Sequence, residues 1–111
     1  MTKSFSKLLL EAVDYALSSL GGSAKQSVYF HLEKKFNLAR NDIPSRIEDF
    51  DRGLEKIFGN GARFLEILIM RKLYEELGET ELVLKKDENA GFDFAVYVEA
   101  ARHAYLDSEE N

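Results

Sequence analysis

Hydrophobic and polar residues recur along this chain at the spacing of helices and almost nowhere at the spacing of strands. The densest stretch runs from Asn60 to Gly78, N-G-A-R-F-L-E-I-L-I-M-R-K-L-Y-E-E-L-G. There Phe64, Leu65, Ile67, Leu68, Ile69 and Met70 encircle the middle turns, and only Arg71, Lys72, Glu75 and Glu76 restore a polar side. A helix of that kind needs neighbours all round, so residues 60–77 are expected to be the central helix of an all-α domain. Asn60 is a good N-cap, and Gly78 can take the left-handed conformation that stops a helix.

The same periodicity predicts about four more helices. From Ser4 to Leu20, Phe5, Leu9, Ala12, Val13, Ala16 and Leu20 make one face, and Leu8, Leu10, Tyr15 and Leu17 widen it beyond what one partner helix covers. After Gly21 and Gly22, Ser23 is placed to cap a second helix ending near Phe36, with Phe30 pointing away from the Val28, Tyr29 and Leu32 face. Asn37 to Pro44 reads as a loop. Ser45 and Glu48 have capping-box spacing for a third helix to Phe58, in which Ile47, Phe50, Leu54, Ile57 and Phe58 share one narrow face. Leu82 and Leu84 alternate with Glu81, Val83 and Lys85, which predicts a short extended segment near residues 80–86 with no second strand to pair with. A turn at 87–91 precedes a last helix to Leu106. Residues 1–107 therefore form a single helical domain, with 108–111 as a flexible acidic tail.

Composition narrows the possibilities. The formal net charge is −5, and its placement is uneven: residues 1–58 carry nine basic and eight acidic side chains, residues 59–111 six and twelve. An acidic surface of this kind repels phosphate backbones. With no cysteine there are no disulfides, thiolate nucleophiles or Cys-ligated zinc. Uncharged apolar runs such as Ile67 to Met70 are far short of the ~20 residues of a membrane span, and no basic-then-apolar leader is present. A cytoplasmic protein that does not bind membranes is expected.

Candidate sites are sparse. The glycine hinges Gly21-Gly22 and Gly59-Asn60-Gly61 each open a helix and are followed by Lys25 and Arg63, a fragment of an anion site, although ordinary helix-stop duty explains both. The stretch Asp87 to Asp93 alternates oxygen-bearing side chains as a calcium loop does, but Phe92 and Val98 stand where that loop needs Gly and Glu. His31 and His103 have no metal partner at ligand spacing, and no nucleophile motif exists, so no metal, cofactor or catalytic residue is expected. Lys34, Lys35, Arg40 and Arg46 form the one loose basic cluster, which would suit a helix-turn-helix DNA binder.

Two segments, S-S-L-G-G-S-A-K-Q-S-V-Y-F-H-L-E-K-K-F (Ser18 to Phe36) and I-P-S-R-I-E-D-F-D-R-G-L-E-K-I-F-G-N-G-A-R-F-L-E-I-L-I-M-R-K-L-Y-E-E-L-G (Ile43 to Gly78), resemble the mostly archaeal Nitrosopumilus output domain, as does F-D-F-A-V-Y-V-E-A-A-R-H-A-Y at the end. The matching residues are Lys25, Gln26, Tyr29, Phe30, His31, Gly59, Gly61 and Ala62. The resemblance implies a regulatory output module of signalling type, and carries over no catalytic residue. The expectation is thus a non-enzymatic interaction module that pairs as a homodimer through Leu8, Leu10, Tyr15, Leu17 and Phe30, where apolar surface is in surplus. DNA binding and binding of a small ligand or anion are the alternatives.

Overall fold

A computed structural model describes residues 3–78 and 93–110, the last four of these by backbone alone. Five α-helices and one short 3₁₀ helix follow in order: α1 Phe5–Ser18, α2 Ala24–Phe36, the 3₁₀ helix Arg40–Ser45, α3 Ile47–Phe58, α4 Gly61–Glu76 and α5 Phe94–Glu110. The all-α class holds, with no strand among the described residues. The segment expected to be extended and the turn at 87–91 lie outside them. So does Asn111, while α5 runs on to Glu110 rather than stopping at Leu106.

The most enclosed helix is α1. It packs against α2, the 3₁₀ helix, α4 and α5, and its widened apolar arc is consumed by these four neighbours. Leu8, Leu10 and Leu17, expected on a dimer face, are buried inside the single chain. Ser4 caps the helix by accepting from Lys7 N–H at 3.2 Å. The expectation for α4 needs the opposite correction. Ala62, Leu65, Ile69, Met70 and Leu73 are buried, but Phe64 is 66% exposed and Ile67 and Leu68 are only half-buried, so α4 is covered on one side and open on the other.

The turn into α3 also departs from the pattern. Pro44 lies within the 3₁₀ helix, which keeps residues 40–45 wound, and Ser45 Oγ donates back to Asp42 C=O at 3.0 Å instead of capping α3. Arg46 takes the N-cap position without a side-chain cap bond, and Glu48 and Asp49 place negative charge at the positive end of the helix. Neither Ser23 nor Asn60 makes a side-chain cap bond, although each stands at its expected N-cap position. Asn37 takes the left-handed conformation that ends α2, which Asn tolerates better than most residues. α3 crosses α2 at Gly53, where a Cβ would come within 2.5 Å of the buried Leu32 Cδ2. α5 is fastened by Phe94 against Phe50, by Arg102, which lies over the Phe5 ring and donates to Pro44 C=O at 2.6 Å, and by Tyr105 O–H, which donates to Lys3 C=O.

Candidate functional site

The α3–α4 junction needs only two residues because Gly59 adopts a positive φ of 57°, donating to Glu55 C=O at 2.8 Å, while Ala62 N–H donates back to Gly59 C=O at 3.1 Å. Asp51 lies about two turns before this hinge and Glu66 about one and a half turns after it. The two carboxyls lie against each other where α3 packs on α4. Above the pair opens a cleft of about 360 Å³ lined by Glu55, Gly59, Asn60, Ala62, Arg63 and Glu66.

Glu66 is 3% exposed, the one charged-type side chain buried to that degree among the described residues. Asp51 Oδ1 and Glu66 Oε2 are buried with no N–H or hydroxyl donor to satisfy them. Two carboxylates cannot bond to one another, so a proton must supply the missing donor. Burial first, then the Asp51 hydrogen bond and charge and the Glu55 charge, push the Glu66 carboxyl up to about 9 against the pull of Arg63. At neutral pH Glu66 therefore keeps its proton, a cheaper arrangement than a buried, ionised, unpaired acid. The hinge expected to attract anions through Arg63 is accordingly floored by acids.

A second polar cluster ties α1, α2 and the 3₁₀ helix together. Arg40 grips Asp14 with two bonds, Nε to Oδ1 at 3.1 Å and Nη2 to Oδ2 at 2.7 Å, and Tyr29 O–H donates to Asp14 Oδ1 at 2.5 Å. Burial alone raises the Asp14 carboxyl, but the Arg40 and Tyr29 hydrogen bonds and the Arg40 and Lys25 charges outweigh it and hold Asp14 below its ordinary value. Burial, then Asp14, pushes the Tyr29 phenol well above its usual range. Lys25, the other expected anion contact, lends its charge to Asp14 and does not line the cleft beside Arg63.

The basic cluster is dispersed in the same way. Arg40 is neutralised by Asp14, and Arg46 binds the last carbonyls of α2, Asn37 C=O at 2.7 Å and Phe36 C=O at 3.4 Å, as well as Asp49 at 2.9 Å. Lys34 lies over the Phe30 ring at 5.7 Å, leaving Lys35 as an isolated exposed cation of the four. Of the expected interaction residues, Tyr15 (55% exposed, with Lys72 Nζ 4.8 Å from its ring) and Phe30 (64% exposed) remain at the surface. His31 and His103 are exposed, and no group of three or more metal-ligating side chains occurs among the described residues. The calcium-loop stretch lies outside them except for Asp93, whose Oδ1 accepts from Val96 N–H at the start of α5.

Sequence reasoning missed Glu66 although a signal was there: it shares the arc of Ala62, Ile69, Met70 and Leu73, the single acid on the buried face of α4. Its partner Asp51 had no such mark. None of the described helices is long and apolar enough to cross a membrane. Comparison of the chain with known protein families, curated proteins and solved structures finds no match to any of them.

Proposed function

We propose that this chain is a non-enzymatic protein-interaction module of regulatory, output type, and that it pairs with a second copy of itself through the open side of α4. The observation that carries this is Phe64: a phenyl ring 66% exposed, about one turn from the start of α4, continued along the helix by half-buried Ile67 and Leu68. An aromatic anchor beside aliphatic side chains is the usual make-up of an interface centre. The charges flanking the strip favour a second copy as the occupant. Arg63 and Arg71 lie toward its N-terminal and middle parts, and Glu75 and Glu76, which both reach Lys72, leave a net negative C-terminal end, so antiparallel pairing of two α4 helices sets opposite charges against each other under two-fold symmetry. The likeness of residues 18–36 and 43–78 to the output-domain family supports the regulatory part of this reading.

Sedimentation equilibrium of the full chain tests it. A dimer is expected whose dissociation constant rises about thirtyfold in Phe64→Asp, the effect of losing an anchor worth ~2 kcal/mol. A wild-type chain that stays monomeric at the highest attainable concentration overturns the proposal, as does a dimer that Phe64→Asp leaves unchanged.

A further inference from the structure

We infer that the Asp51–Glu66 carboxyl pair is a proton-operated latch on the α3–α4 hinge: the shared proton holds the two helices together, and its loss frees the hinge and widens the cleft beside it. Three features of the structure carry this. The pair brings a carboxyl of α3 against one of α4 at a depth where Glu66 is 3% exposed. The buried oxygens Asp51 Oδ1 and Glu66 Oε2 have no other donor, so the link exists only while a proton is present. Beyond it lies a two-residue turn with the positive-φ Gly59, exposed Asn60 and exposed Gly61, and open space where a Gly59 side chain would stand.

The step itself is a simple ionisation. Glu66 O–H, facing the Asp51 carboxyl, gives its proton to water, and the Glu66 carboxylate is left buried against Asp51 without a donor. The charged groups acting on Glu66 are Asp51 and Glu55 from α3, which oppose that loss, and Arg63 on α4, which favours it. The other two helices packed on α4 contribute little. On α1, Glu11 is paired with Lys3, Asp14 with Arg40, and Lys7 is exposed; on α5, Glu99 is paired with Arg102, and Asp93 and His103 are exposed. Opening the hinge returns Glu66 to water, where a carboxyl ionises readily, so each unit of rising pH favours the open form about tenfold between the solvated and buried values of the group. A glutamine would hold the same place without that dependence. Because Arg63 and Phe64 stand on the turn of α4 just before Glu66, release of the latch moves the cleft rim and the exposed ring together.

Amide hydrogen exchange of the intact chain, read residue by residue and corrected for the intrinsic exchange rate, tests the latch. The amides of residues 59–63 are expected to be less protected than those of the α1 core and to lose protection about tenfold per pH unit across the neutral range. In Glu66→Gln that slope is expected to vanish. A flat profile in the wild type, an equal slope in Glu66→Gln, or hinge amides as protected as α1, which would mean that the hinge opens only when the whole domain unfolds, each overturns the proposal. A carboxyl carbon-13 titration of the wild type gives a readout that needs no variant: a Glu66 midpoint near 9 supports the latch, and one near 4.5 removes it.

Discussion

Replacing one Glu66 oxygen by an amide keeps the shape of the side chain and abolishes its titration, which makes the sign of its contribution easy to read. Its folded value is raised, about 9 against 4.5, so the folded state holds a proton that the unfolded chain releases. The contribution of Glu66 is complete below the unfolded value and is lost as pH rises through the folded one. Urea unfolding of wild type and Glu66→Gln at pH values between these limits is expected to show the variant gaining ~1.4 kcal/mol per pH unit on the wild type. Asp14 behaves in the opposite sense. Its folded value lies below 3.8, so its contribution is present above that value and disappears as pH falls through the depressed one. Asp14→Asn gives up charge-assisted bonds to Arg40, and a loss of ~2 kcal/mol is expected at neutral pH, shrinking toward nothing in strong acid.

Among the helices, α2 depends most on what its neighbours allow. Only Val28 and Leu32 of its side chains are buried, so its place rests on the Tyr29–Asp14–Arg40 cluster, the Arg46 bonds to its last carbonyls, and the close crossing at Gly53. Glycine inside a helix costs ~1 kcal/mol relative to alanine, yet a methyl group here would collide with Leu32 in a packed interior. Gly53→Ala is therefore expected to lower stability by ~1 kcal/mol net rather than raise it, measurable by thermal unfolding. α4 is the counterpart case. Its buried and open sides do different work, since Leu65, Ile69, Met70 and Leu73 fasten it to the core and Phe64 faces outward as the contact proposed for a second copy.

At the scale of the molecule, several of the described cations are tied to carboxylates within the chain. Arg40, Arg46, Arg52, Lys72 and Arg102 all lie within ion-pair distance of carboxylates, while the net charge of the chain stays at −5. Phosphate contacts would have to be made against that field, and two of the four cations expected for DNA are committed to the fold. A gel-shift titration at low salt, where attraction to a phosphate backbone is strongest, is expected to show no retarded DNA. Retardation at low salt that vanishes in Lys34→Ala/Lys35→Ala would instead revive a nucleic-acid role.

The sequence by itself determined the helical class and most of the breaks between helices, because periodicity and glycine conformation are local properties: Gly59 turns α3 into α4, and the narrow face of α3 is the face that packs. Tertiary structure alone decided which apolar residues are covered. Leu8, Leu10 and Leu17 are enclosed by four neighbours brought from distant parts of the chain, whereas Phe64, read as core from an almost wholly apolar circumference, faces water because no described helix covers that side of α4. The meeting of Asp51 with Glu66, and of Asp14 with Tyr29 and Arg40, was likewise decided in three dimensions. Periodicity shows which side of a helix faces inward, but the partner found there depends on how the helices cross.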